Sequence, residues 1–324
     1  MLQCQYVGPG GVPCFDDAQD GRELCVWHDA TIDKTGPEWA RHLEALARDG
    51  QSLAGFELAR AQLDGINLTF PDHATGVDLR GANLTRASLK GARLYRADFT
   101  GASLLKANLS EANLNAARFE DADLLGASFA GVHMEDTQWG SALRQDREAY
   151  AARKRGQHDL AAQNFREAEE IYRDLRIIAE AQGHLRISGE FFYREMLMRH
   201  HRLARCSMAR MVSGFAHILY GYGERPSHII SCAAAYLLIF AFAYFALGVN
   251  DTGAVLAYDP ARSFAENLVA FGDCLYFSIV TFTTVGYGDV VPQGLAKTVS
   301  AVEALSGHFV MALFVVVFVR KLAR

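Results

Sequence analysis

The sequence predicts a multidomain chain of several fold classes joined end to end: a four-sided coil of five-residue sides, a helical linker, and an all-α segment that crosses a membrane twice. Three observations carry this. A large apolar residue recurs at every fifth position from Leu79 to Trp139. Residues 141–205 are charged and rich in Ala, Glu, Arg and Gln, as surface helices are. Ile229–Val249 runs for 21 residues without a formal charge, enough to cross a hydrocarbon core of about 30 Å, and Leu295–Val319 offers a second candidate of 25, interrupted by Lys297 at one end and by Glu303 and His308 inside. The formal net charge of −5 averages these unlike parts and describes none of them.

In chain order, residues 1–30 form a Cys/His module. Cys4, Cys14, Cys25 and His28 crowd a Gly/Pro-rich stretch with little apolar core. Three thiolates and an imidazole suit tetrahedral zinc, and Cys25-x-x-His28 is a chelating pair. So short a segment has too little core to fold without such help. Unrelated thiols are the alternative reading, and a disulfide is disfavoured on the cytoplasmic side. The pattern resembles short Cys-Cys-Cys-His modules ending in Cys-x-x-His-Asp at the ends of bacterial chains, which implies structural Zn2+ and no catalysis. Residues 31–50 follow as a short helical connector.

Residues 51–140 hold the repeat. A period of five fits neither a helix of 3.6 nor a strand of 2, because leucines so spaced would wind around the first and alternate across the second. Four five-residue sides closing one turn accommodate it, with the large residue inside and Ala82, Ala87, Ala92 and their successors two positions earlier. Leu53, Leu58, Leu63 and Leu68 add about one more turn before an insertion, Thr69–Gly76, shifts the register by one. The pattern resembles the pentapeptide-repeat family, which implies a right-handed quadrilateral β-helix. From Val77 to Trp139 eight acids oppose seven bases, a balance that excludes a polyanionic mimic of DNA and gives no reason to expect a nucleic-acid partner. The bases lie early and the acids late. That dipole directs stacking between subunits or is simply a solvated face.

In the linker at 141–205, Phe165, Ala168, Ile171, Tyr172, Leu175, Ile178 and Ala179 keep helical spacing, and Gly183 reads as a stop. Phe191, Phe192, Met196, Leu197 and Leu203 suggest a second helix. The pair resembles a tetratricopeptide hairpin, although one pair is too little to assign that family. It either transmits movement or is a passive spacer. In residues 206–225, Ser213–Tyr222 is apolar and aromatic between Arg210 and Arg225, which reads as an interfacial helix on the inner leaflet or a helix buried against soluble protein.

Residues 226–324 contain both spans. Between them Asn267–Phe282 is apolar but too short to cross and return, and Thr283-Thr284-Val285-Gly286-Tyr287-Gly288-Asp289 follows. Non-helical backbone at membrane depth survives only when buried in protein or lining water, so a short re-entrant helix and an extended loop are expected. Arg199, Arg202, Arg205, Arg210 and Arg225 precede the first span and Arg320, Lys321 and Arg324 follow the second, with Arg262 alone between. Both termini are therefore expected in the cytoplasm, in a multi-pass protein of the cell (inner) membrane. No cleavable signal is visible, and the chain stops five residues after the second span.

Thr284-Val285-Gly286-Tyr287-Gly288 resembles the selectivity filter of the two-transmembrane potassium channel family, and residues 226–324 resemble its outer helix, pore helix, filter and inner helix. The resemblance implies a homotetramer around one pore, K+ as the conducted ion, Thr284, Val285, Gly286, Tyr287 and Gly288 as ion-coordinating, and Asp289 as the acid just outside. Gly307, midway along the second span, matches the family's hinge; close helix packing is the alternative. Many relatives brace the aspartate with a pore-helix glutamate where this chain has Val280, so Tyr276 is expected to offer its hydroxyl to Asp289, and Thr283 to support the loop. Glu303 reads as a hydrogen-bonding group behind the filter, or else a charge facing the cavity. His308 reads as a packing histidine or a pH sensor, and Phe314 or Phe318 as the constriction. No arginine-bearing span exists to sense voltage. The implied function is a passive potassium-selective channel, not an enzyme, modulated from the N-terminal side. The alternative is a membrane-tethered pentapeptide-repeat scaffold that binds a cytoplasmic protein partner. A non-selective cation channel would need a broken filter string.

Overall fold

The computed structural model describes residues 2–70, 75–204, 206–251 and 253–322. The chain separates into two compact units, Met1–Arg202 and Leu203–Arg324.

The first unit is organised by the five-residue repeat. Each central residue is turned inward and lost from solvent: Leu84, Leu104, Leu109, Leu114, Phe99 and Phe119 are all 0–1% exposed. Residues 20 apart pair in parallel, with Asp78↔Asp98, Asn83↔Ser103, Ser88↔Asn108 and Arg93↔Asn113 starting four ladders. One turn therefore takes twenty residues and four sides. Backbone groups are satisfied by the adjacent turn, as where Leu84 N donates to Ser103 O (2.7 Å) and Ser103 N to Ala82 O (2.9 Å). Phe99, Phe119 and Trp139 form a stacked column at 5.0 and 5.1 Å. The first turn meets the second at an offset of 26, through Glu57↔Asn83, Gln62↔Ser88 and Asn67↔Arg93. The six extra residues belong to the Thr69–Gly76 insertion, of which 71–74 lie outside the described residues. Six is one more than a side, and that accounts for the register shift.

Both ends of a solenoid need covering, because the last turn has no neighbour to bury its core against. At the N-terminal end Trp27 stacks on Phe56 at 5.1 Å and its carbonyl accepts from Glu57 N (2.8 Å). Helix α1, Glu38–Arg48, buries Leu43 and Ala47 there. At the other end stand three helices, Arg144–Lys154 (α2), His158–Ala181 (α3) and Leu185–Arg202 (α4). Hydrophobic spacing predicts only the last two. Helix α2 escapes it because its buried face is Gln145, Asp146, Ala149 and Ala152, without a large apolar residue. Phe191 of α4 closes the aromatic column edge-on to Trp139 at 5.1 Å. Arg194 donates to Gly140 O (2.8 Å), and the buried Tyr172 hydroxyl donates to Asp146 Oδ2 (2.6 Å).

The second unit begins with α5, Met208–Tyr220, capped by Ser207, which accepts from Arg210 N. This helix starts five residues before the apolar stretch that announces it. It buries no residue, and Met208, Met211, Val212, Phe215 and Ile218 are exposed. Helices α6, Pro226–Leu247, and α8, Ala296–Leu322, contain segments long and apolar enough to cross a membrane. Gly248 ends α6 at φ +82°. Strands β1 (Val249–Asp251), β2 (Ala254–Leu256) and β3 (Val290–Pro292) form an antiparallel sheet in the order β2-β1-β3. Between them α7, Phe264–Phe282, starts earlier than its apolar run because Ser263 and Glu266 close a capping box.

Candidate functional site

Helix α7 delivers the chain to the Thr283–Asp289 loop. Thr283 closes the helix by donating from N to Ile279 O (2.9 Å) and from its hydroxyl to the same carbonyl (2.7 Å). Beyond it the backbone alternates. Thr284, Gly286 and Gly288 have φ of +58°, +58° and +82°, while Val285 and Tyr287 between them keep negative φ. Alternation of left- and right-handed residues turns successive N–H groups to one side and carbonyls to the other. Among the described residues, no donor reaches a carbonyl from Thr284 to Gly288. A Cβ at Gly286 or Gly288 would meet nothing within 4 Å, so glycine is needed there for its dihedral and not for space. Thr284 adopts the same region with a branched side chain, at a cost of about 1–2 kcal/mol. Val285 and Tyr287 are 54% and 71% exposed within one chain.

The loop is tied at its C-terminal end. Tyr276 donates to Asp289 Oδ2 (2.7 Å), and Val290 N donates to Asp289 Oδ1 (3.0 Å). Val280, buried, spends its carbonyl on Val285 N (3.1 Å). From Asp289 the chain enters β3, where Val290 pairs with Asp251 of β1.

Glu303 of α8 has no exposed surface. Its Oε1 accepts from Ser278 Oγ of α7 (2.5 Å) and its Oε2 from Tyr244 OH of α6 (2.5 Å). One carboxyl group thus joins three helices, and a cavity-facing charge is not what the geometry holds. Sequence reasoning missed Ser278 and Tyr244. The available signal was a hydroxyl inside an otherwise apolar helix, which needs a partner when buried. Gly307 is in an unbroken stretch of α8, where a Cβ would stand 2.8 Å from Phe282 O and 3.1 Å from its ring. The absence of a side chain here lets Phe282 pack closely on α8. His308 Nδ1 meets Ala304 O of its own helix (2.7 Å), and the side chain is exposed within one chain. Phe314 and Phe318 stack at 5.2 Å.

The first unit carries a second cluster. Cys4, Cys14, Cys25 and His28 bring four ligand atoms within 4.8 Å of one another. Cys14 Sγ stands 3.9 Å from Cys25 Sγ, and His28 Nδ1 stands 3.2 Å from Cys25 Sγ and 3.7 Å from Cys4 Sγ. A tetrahedral site with metal–sulfur bonds of about 2.3 Å has edges of roughly 3.8 Å, close to these spacings. His28 Nε2 meets Ala54 O at 3.2 Å. A carbonyl only accepts, so Nε2 carries the proton and Nδ1 presents its lone pair to the thiols. Tyr6 stacks on the imidazole at 3.8 Å. Burial pushes the Cys14 thiol up to about 12, with Cys25 and Cys4 adding to it, and burial also lowers the His28 pKa. Raised in this way the thiols keep their protons, and only a bound cation would favour the thiolate form.

Comparison with known proteins agrees with both halves of this description. The family described as ion channel matches residues 232–324, and pentapeptide repeats match 73–104 and 107–138 in eight copies. Protein LctB of Bacillus caldotenax is 39% identical over 79 residues, 24% of this chain and 58% of that protein. The potassium voltage-gated channel protein Shal of Drosophila melanogaster is 35% identical over 96 residues, 29% of this chain and 16% of its own. The chain thus spans less than two thirds of the length of these curated relatives. Among solved structures, a pentapeptide repeat protein from the thylakoid lumen of Arabidopsis thaliana aligns over 34% of this chain and 79% of its own, at 29% identity and a TM-score of 0.17. HetL, a pentapeptide repeat protein from Nostoc, aligns over 25% of this chain and 52% of its own, at 26% identity and a TM-score of 0.13. Residues 232–324 are an ion-channel domain, and pentapeptide repeats precede it.

Proposed function

We propose that four copies of this chain surround one pore that conducts K+ passively and selectively, without a voltage sensor and without catalysing a reaction. The carrying observation is the row of carbonyls from Thr284 to Gly288, which meet no donor among the described residues while left-handed residues alternate along them. Unsatisfied carbonyls in a membrane domain cost several kcal/mol each unless something replaces water, and a dehydrated cation does so. Thr284, Val285, Gly286, Tyr287 and Gly288 coordinate the ion in this reading. Thr283, Tyr276, Asp289 and Glu303 hold the loop. The exposed Val285 and Tyr287 side chains are covered by neighbouring copies. Gly307, packed on Phe282, is where α8 would bend on opening.

The membrane is the cell (inner) membrane, with both termini cytoplasmic and the apolar face of α5 on the inner leaflet. The repeats are read as a right-handed quadrilateral β-helix that modulates assembly or gating. Cys4, Cys14, Cys25 and His28 hold a structural Zn2+ at its N-terminal end, fastened through the His28 to Ala54 hydrogen bond. Where the pore does not conduct, the solenoid reads instead as a membrane-tethered scaffold for a cytoplasmic protein.

Purified protein in liposomes tests the main reading. K+ efflux that exceeds Na+ efflux supports it, equal efflux points to a non-selective channel, and no efflux leaves the scaffold. Truncation near residue 206 tests modulation: unchanged flux, gating and tetramer stability refute it. Zinc assay tests the cluster, for which one ion per chain is expected.

A further inference from the structure

Some charges on the solenoid find partners in neighbouring residues. Arg80 meets Asp78 at 2.8 Å, Lys90 meets Glu111 at 3.3 Å and Arg147 meets Asp121 at 2.6 Å. Arg60, Arg86 and Lys106 differ. All three are exposed, and among the described residues none makes an ion pair. Each is the second residue after a buried leucine, Leu58, Leu84 or Leu104. The pairings Glu57↔Asn83 and Asn83↔Ser103 therefore put them at one corner of three consecutive turns.

This arrangement works against stability twice. Turns in parallel register are about 4.8 Å apart, so like charges stand one rung from each other. The three residues also hold φ of +62°, +58° and +57°, where glycine is the default. The corner next to them uses Gly55, Gly81 and Gly101 on the same three turns, and the fourth turn places Gly126 at this corner itself. Non-glycine residues hold this region at other corners too, as Arg96, Ala116 and Asp136 do, but this corner alone stacks three cations on consecutive turns, and they call for an anion.

A groove of about 650 Å³ runs beside the column, between it and the connector at 30–35. Thr31, Thr35 and Thr85 add hydroxyls to its lining, and Asp33 is the one carboxylate there. Lys34 lies beneath the connector wall, 1% exposed, its ammonium bonded to the carbonyls of Asp29 (2.9 Å) and Ile32 (3.5 Å). The volume falls in the range for small-molecule sites. Guanidinium forks match phosphate oxygens two by two, and the column offers cations in a line at a spacing a phosphate chain can follow. We propose that this groove binds a soluble oligophosphate, such as the di- or triphosphate tail of a nucleotide.

Calorimetry on the full chain in detergent, titrated with tripolyphosphate, ATP and orthophosphate, tests this. Tripolyphosphate and ATP should bind at least about tenfold more tightly than orthophosphate, because only a chain reaches two or more cations. The triple variant R60N/R86N/K106N should lose binding about tenfold or more while keeping or raising the melting temperature, since asparagine tolerates the left-handed region. That retained fold separates lost recognition from lost structure. Absence of tripolyphosphate binding, equal binding by the triple variant, or equal affinity for orthophosphate overturns the proposal. So does binding of phosphatidylglycerol vesicles or duplex DNA through the column that tripolyphosphate fails to compete.

Discussion

In the solenoid a left-handed residue follows each buried centre, and the amide it presents is met by the next turn: Gly81 N donates to Thr100 O at 3.0 Å and Arg86 N to Leu105 O at 2.8 Å. In Thr284–Gly288 left-handed residues stand at every second position, and the carbonyls among them meet no donor among the described residues. The same backbone region serves closure in one unit and exposure of oxygen in the other. Spacing decides which. At intervals of five it turns a corner and hands the chain to a neighbouring strand. At intervals of two it aligns carbonyls and leaves them for a ligand. Stability in the first unit therefore resides in side-chain burial, whereas the Thr284–Gly288 loop depends on dihedrals and on the bonds that hold its ends.

This contrast can be broken most severely at Gly286. Gly286→Ala puts a Cβ in the left-handed region at about 1–2 kcal/mol per copy, four times over in a tetramer. The expected result is loss of K+ over Na+ selectivity in a flux assay, with the unfolding transition of the solenoid unmoved. The converse change is Phe119→Ala, in the middle of the stack with Phe99 and Trp139. It should cost about 3–5 kcal/mol in chemical denaturation followed by circular dichroism, with selectivity intact.

Between these lies Glu303→Ala, which leaves the Ser278 and Tyr244 hydroxyls buried without their acceptor, at about 1–3 kcal/mol for each. Tetramer survival on heating should fall, and Glu303→Gln should recover most of it. A pH dependence of similar size is expected in the first unit. Burial raises the Asp146 carboxyl to about 6, against the opposing Tyr172 hydrogen bond. The folded form then holds the proton more tightly than the unfolded chain, so stability is highest below about pH 4 and falls by about 3 kcal/mol as pH rises through 6. Asp146→Asn should flatten that slope in melting curves taken from pH 4 to 7. The smallest effect belongs to Tyr276→Phe, which removes one hydrogen bond to Asp289 worth about 1 kcal/mol. Faster decay of current under sustained K+ flow would register it.

The two units also differ in how much the residues disclosed in advance. Periodicity of five names a four-sided coil because neither regular element tolerates it, and the six-residue excess in Thr69–Gly76 gives the register shift before any coordinate does. The Thr284–Gly288 string names the loop, and Tyr276, standing near the glutamate-less Val280, names the partner of Asp289. Contacts set by tertiary approach stayed hidden. Ser278 and Tyr244 reach Glu303 only when three helices converge, and no spacing within one helix encodes that. Gly307 carries the same signature for bending and for packing, and its closeness to Phe282 became visible only when the two helices met. Helix α2 went unseen because a buried face of Ala149, Ala152 and polar side chains gives no apolar period.

Single-channel recording from the purified full chain in a planar bilayer, with K+ on one side and Na+ on the other, tests the unclaimed carbonyls of Thr284–Gly288 most directly. The account predicts unitary currents carried from the K+ side, with a reversal voltage far from zero that collapses in Gly286→Ala. Reversal near zero in the unaltered protein, or a Gly286→Ala variant that still separates the two ions, would contradict it.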